Sequence, residues 1–244
     1  VNVSGKITVE FRNKGLYGNG VSLWFRNSSN PGTWYHPVIG NNQHTHYDIL
    51  DEQGNFNFNF NFSGDLSGYN ELIVVVNTAN AATYLPAPAD GYVVWENNGY
   101  TSYFNESEGI LAAVNGTNSN IIINQNGTVN FEYGSVLRYT MLSKNHVINL
   151  YGGNVPFNIN PISARVTDLS VAGHFVIEWT PNGYVHYIEI DPNSTEFTTV
   201  SHEYGHYINF CMWGRSKFSD ASTHLKEGWS IFYSFGVRNY GNKL

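Results

Sequence analysis

The segment His202-Glu203-Tyr204-Gly205-His206 constrains this chain more than any other, because it sets two histidines four apart with a glutamate beside the first. On a helix turning about 100° per residue the two rings lie roughly 40° apart and face one space. Neutral imidazole is a good zinc ligand, and a carboxylate held beside a zinc-bound water can take its proton as that water attacks a carbonyl. Such a pentapeptide also occurs by chance, so its flanks carry part of the weight. Ile188-Glu189-Ile190 reads as a strand, Asp191-Pro192-Asn193-Ser194 as a turn, and Ser194 or Thr195 as the N-cap of a helix starting near Glu196. Phe197, Val200, Tyr204, Ile208 and Cys211 then recur at spacings of three or four, and Gly214 is placed to stop the helix. Tyr204 falls opposite the histidines, which separates an apolar side from a metal-facing side. Gly205 inside this helix costs about 1 kcal/mol relative to alanine, which predicts close packing against another element.

A zinc site needs a third protein ligand. Glu227 is the candidate, within Thr223-His224-Leu225-Lys226-Glu227-Gly228-Trp229-Ser230-Ile231-Phe232. His224, one turn earlier on the same face, is the substitute ligand or a capping or supporting group. The blocks Ser201-His202-Glu203-Tyr204-Gly205-His206-Tyr207 and Glu227-Gly228-Trp229-Ser230-Ile231-Phe232 resemble the gluzincin metallopeptidases, in which HExxH is followed by a ligand glutamate on a second helix. The likeness covers residues 130 to 240 and is strongest in these two blocks. It implies zinc as cofactor, His202, His206 and Glu227 as its ligands, Glu203 as general base, and a peptide or protein substrate. The chain departs from the family where many members carry a carboxylate one turn after the glutamate ligand; Ile231 stands there, with Ser230 beside it. Support for the ligands then falls to Asp220 or a backbone carbonyl. The sequence ends a short helix beyond Glu227, without the lobe that in many members supplies an oxyanion donor, which reads as a minimal enzyme or a piece of one. Tyr207, Tyr233, Tyr240, His174 and His186 are the candidate donors, and the sequence does not choose among them.

The 244 residues change character along the chain, which predicts a multidomain β and α+β protein: a β-sandwich over residues 1–95 and a zincin-like α+β metallopeptidase domain over 96–244. In the first part Phe56, Phe58, Phe60 and Phe62 alternate with Asn55, Asn57, Asn59 and Asn61, a period of two that belongs to a strand with one aromatic face. Val3-Ser4-Gly5-Lys6-Ile7-Thr8, Gly20-Val21-Ser22-Leu23-Trp24 and Asp51-Glu52-Gln53-Gly54-Asn55-Phe56-Asn57-Phe58 resemble the carboxypeptidase-regulatory-like, or transthyretin-like, sandwich. That resemblance implies support, orientation or adhesion. His44 and His46, with His36 or Asp48, read as a surface pair before a metal site, and Trp24 and Trp34 as core aromatics or a carbohydrate platform. Further on, Ser135 is placed to cap a helix carrying Val136, Leu137, Met141 and Leu142. Pro181-Asn182-Gly183 joins Phe175–Trp179 to Tyr184–Ile188 as a hairpin, and members of the resembled family hold extended substrate along such an edge.

A net charge of −7 with only 13% charged residues and no basic patch excludes a nucleic-acid partner of the ordinary phosphate-neutralising kind. Cys211 is the sole cysteine, so no intrachain disulfide forms, and its place on the helix suits a small buried side chain. No apolar run approaches the roughly 20 residues of a membrane span and no signal peptide opens the sequence, which reads as a mature form. Low charge and abundant Asn, Gly, Thr and Tyr point to a secreted or cell-surface protein. Asn2, Asn27, Asn61, Asn105, Asn115, Asn126 and Asn193 begin glycosylation sequons, several of which an Asn-rich chain contains by chance. The expected function is secreted zinc-dependent peptide hydrolysis. The rival is an extracellular structural, filament or adhesive protein that retains a structural or vestigial zinc site.

Overall fold

The computed structural model describes residues 2–9, 14–27, 30–35, 47–59, 71–76, 80–84, 107–108, 122–124, 127–129, 131–181 and 183–242. The chain is a mixed α/β protein with small sheets and, among the described residues, three α-helices. It divides into two compact units, Val1–Thr78 with Ala87–Val129, and Ala79–Pro86 with Asn130–Leu244.

In the first unit, β1 (Asn2–Val9) is the hub of one sheet. It pairs antiparallel with β2 (Lys14–Gly15) and β6 (Asn55–Asn59), and parallel with β10 (Ile122–Asn124) and β11 (Gly127–Val129). The second sheet centres on β3 (Gly20–Asn27), which pairs with β4 (Asn30–Tyr35), β5 (Tyr47–Ile49) and β7 (Glu71–Val76); β9 (Ser107–Glu108) joins β7. Buried Ile7, Val9, Leu16, Val21, Leu50 and Phe56 supply apolar core from both sheets. Phe56 is buried while its neighbours Asn55 and Asn57 are exposed, as the alternating pattern requires. The side chains of Phe58, Phe60, Phe62, Trp24 and Trp34, and residues His36, His44 and His46, lie outside the described residues.

This division differs from a boundary near residue 95, and strand pairing gives the reason. β8 (Thr83–Tyr84) pairs parallel with β12 (Ile162–Val166), while the Thr83 hydroxyl donates to the Ile162 carbonyl at 2.6 Å. Asn80 donates to the Leu137 carbonyl and Lys144 to the Ala81 carbonyl, so the segment around β8 is tied to the second unit. Conversely β10 and β11 complete the sheet of β1, which carries 87–129 back to the first.

The second unit is a four-stranded sheet with helices α1 (Phe131–Leu150), α2 (Phe197–Asp220) and α3 (Thr223–Gly241). The strand order is β13 (Gly173–Thr180), β14 (Gly183–Ile190), β12, β8. The last three run parallel, and β13 folds back antiparallel on β14 through the expected hairpin, leaving β13 at one edge. Val136, Leu137, Leu142 and Val147 of α1, Ile188 and Ile190 of β14, Val200, Tyr204 and Ile208 of α2 and Val237 of α3 are buried in its core.

Three local expectations give way to tertiary packing. The helix bearing Ser135 begins earlier, at Phe131, so Ser135 lies inside it, buried with Val136 and Leu137, and does not cap it. Ahead of α2, Asp191 caps a short 3-10 turn, Pro192–Ser194, accepting from the Asn193 and Leu169 amides, while the N-cap position of α2 itself is Glu196, which makes no side-chain cap bond, and not Ser194 or Thr195. Gly214 does not end α2 but kinks it, at φ +73°, and the helix resumes to Asp220. The kink carries Phe218 back to the sheet, where its ring meets Phe175 edge-on, 5.7 Å centroid to centroid.

Candidate metal centre

The second and third helices are antiparallel neighbours, and their contact explains the glycine at 205. A Cβ there would lie 3.0 Å from the Tyr233 ring and 3.2 Å from the Ser230 Cα, so small residues let the two backbones approach. The close packing expected of Gly205 is present, and it sets Glu227, near the start of α3, opposite the two histidines of α2. Ser222 caps that start by accepting from the Leu225 amide.

The donor atoms converge. His202 Nε2 and His206 Nε2 are 3.2 Å apart. Glu227 spans both, with Oε2 3.0 Å from His202 Nε2 and Oε1 3.4 Å from His206 Nε2. Ligands about 2.0–2.1 Å from a tetrahedral ion are separated by about 3.3 Å, so all three spacings suit a single small cation. Among the described residues these three form the one group of His, Cys, Asp and Glu close enough to hold a metal ion, every donor lying within 4.8 Å of the others. Glu227 is 47% exposed, so the centre opens to solvent on one side, as a site with three protein ligands and one free position requires.

The electrostatics agree with that role. Burial drives His206 down to about 4, helped by the His202 and Lys226 charges and opposed by Glu227, so at neutral pH its imidazole is uncharged and able to ligate. Glu203 is buried beside the ligands. Its burial first, then the Glu227 charge, push its carboxyl up to about 7, against an opposing hydrogen bond from the Phe175 amide. A cation among the ligands favours the carboxylate form of Glu203.

These groups line a cleft of about 370 Å³. One wall is the edge strand, through Gly173, His174 and Phe175; the other is Phe218 of α2 with Thr223, Lys226 and Glu227 of α3. His202, Glu203, His206 and Glu227 are therefore brought together. His224 is exposed and does not line the cleft, and Asp220 likewise lies outside it. Among the five candidate oxyanion donors, His174 alone lines the cleft. Its Nε2 lies 2.9 Å from Glu189 Oε2, and Arg165 approaches the same carboxylate at 3.7 Å. Tyr207 donates instead to the Asn160 carbonyl and Tyr233 to the Ser143 carbonyl, both buried, while His186 stacks on Tyr207 and Tyr240 packs against His146. Thr223, Lys226 and Phe218 were not legible as cleft residues, because their position depends on the kink at Gly214 and on the turn into α3.

No protein-family model matches the chain, and no curated protein matches it. Two solved structures were found at low similarity. A 9R-lipoxygenase from Cyanothece aligns at TM-score 0.27 and 14% identity over 64% of this chain and 27% of that one. The major pilin subunit BcpA of Bacillus cereus aligns at TM-score 0.26 and 10% identity over 53% and 29%. The chain thus spans little more than a quarter of either protein, and neither likeness bears on fold or function.

Proposed function

We propose that this protein is a secreted zinc metallopeptidase of gluzincin type, in which the second unit is a zincin-like catalytic domain and the first an accessory β-sandwich. The observation that carries the proposal is the convergence of His202, His206 and Glu227 at tetrahedral spacing, with buried Glu203 beside them, on a cleft walled by an edge strand. Two imidazoles and one carboxylate are a donor set suited to zinc. Bound there, zinc would supply a Lewis acid and make water acidic enough to attack a peptide carbonyl near neutral pH.

The protein's own groups do the rest. β13 offers main-chain donors and acceptors on its outer edge, along which an extended peptide can pair and so be held across the cleft. Glu203 is the base that takes a proton from the attacking water and returns it to the leaving amine. His174, steadied by Glu189, is the side chain placed to donate a hydrogen bond to the developing oxyanion. Phe218, on the opposite wall, offers an apolar surface for a substrate side chain.

Hydrolysis of an internally quenched peptide library is the test. Activity is expected, is abolished by a strong chelator, and returns when stoichiometric zinc is restored. A protein that binds zinc and cleaves nothing in such a library would instead support the structural or adhesive alternative.

A further inference from the structure

Lys226 is the one described lysine or arginine that lines the cleft, and no role in holding a metal or moving a proton uses it. It follows Thr223 by three residues and precedes Glu227 by one, so its helix face adjoins the metal centre. Its Nζ is held 5.1 Å from the centroid of the Phe218 ring on the same wall. Among the described residues it forms no ion pair: the carboxylates nearest the centre are engaged elsewhere, Glu227 with His202 and His206, and Glu189 with His174 and Arg165.

A charge count of the lining gives the consequence. Glu203 and Glu227 together balance a divalent cation, and Lys226 then leaves the loaded cleft with one excess positive charge, within a chain whose net charge is −7. A half-buried ammonium with no carboxylate partner among the described residues is most favourably matched by an anion that arrives with the substrate.

We infer that Lys226 is a specificity-determining residue, which selects peptides bearing an acidic side chain next to the bond that sits over His202, His206 and Glu227. Its Nζ donates to the substrate carboxylate, and the Thr223 hydroxyl on the same helix face is positioned to add a second hydrogen bond. The inference rests on the peptidase assignment for its substrate class, but the preference is a property of binding and is measurable without turnover.

The experiment uses the full chain loaded with zinc and keeps Glu203, with fluorescent peptides blocked at both ends that carry a non-hydrolysable ketomethylene in place of the central amide bond and differ at one neighbouring position as Glu, Gln or Lys. Fluorescence anisotropy is expected to show the Glu peptide bound about tenfold more tightly than the Gln peptide, the size of one charge-assisted hydrogen bond discounted for solvent. Adding Lys226→Met should bring that ratio to about one, Lys226→Glu should reverse it in favour of the Lys peptide, and Lys226→Arg should restore it. Zinc content and far-ultraviolet dichroism of each variant distinguish loss of selectivity from loss of fold. Equal binding of all three peptides to the parent, no measurable binding, or a preference that survives Lys226→Met would overturn the inference. If the charge preference appears but the unsubstituted chain hydrolyses none of the corresponding amide peptides, the anion-selecting role stands and the peptidase assignment falls.

Discussion

Glu203→Gln is expected to take up zinc as the parent does and to hydrolyse peptides about a thousandfold more slowly, the range in which a positioned general base contributes. Glu203 stands apart from the ligand group formed by His202, His206 and Glu227, so its charge is not needed to fill the coordination sphere. The amide of glutamine is close in size to the carboxylate and can accept the same hydrogen bond from the Phe175 amide, so the buried pocket stays filled. What it lacks is a basic oxygen. Metal content by elemental analysis, set beside single-turnover rates on a quenched peptide, separates the two properties. Equal rates in variant and parent would remove Glu203 from the chemistry, whereas loss of zinc from the variant would make it a ligand.

Removal of zinc is expected to destabilise the second unit by about 4 kcal/mol where free metal stands at roughly a thousand times its dissociation constant. The ligands come from α2 and α3, so the ion adds a tie between two helices that already pack closely where Gly205 meets Ser230 and Tyr233. Hydrogen exchange with and without chelator localises the effect: amides of α2, the start of α3 and β13 should exchange faster without metal, while those of β1 and β6 are unchanged. The sign follows from linkage, since an ion bound by the native state alone stabilises only that state. Uniform acceleration over the whole chain, or no acceleration, would contradict a centre confined to this unit.

The parts of this site that were legible in the sequence are those set by short-range geometry. Two histidines at i and i+4 must share a helix face, and Pro181-Asn182-Gly183 between two β-rich runs must turn back; both depend on neighbours along the chain. Glu227 was within reach because its block has its own pattern, but His224 lies one turn away on the same helix face, and only packing against α2 shows which of them looks inward. The parallel pairing of β8 with β12, and of β10 and β11 with β1, left no local signal, because parallel partners are joined by long connections that carry no turn signature. That is why a boundary near residue 95 failed to divide the units. Gly214 shows a related ambiguity: a glycine near the end of an amphipathic run serves as a stop or as a kink, and the apolar contact of Phe218 with Phe175 beyond it decides for the kink.

The most direct measurement is X-ray absorption at the zinc edge on protein loaded with one equivalent of metal. A shell of nitrogen and oxygen at about 2.0–2.1 Å is expected, with the outer scattering of two imidazoles, and it should lose one oxygen ligand in Glu227→Ala while remaining intact in Glu203→Gln. Sulfur at about 2.3 Å, which Cys211 alone could supply, a six-coordinate oxygen shell, or a spectrum unchanged by Glu227→Ala would contradict a centre built from His202, His206 and Glu227.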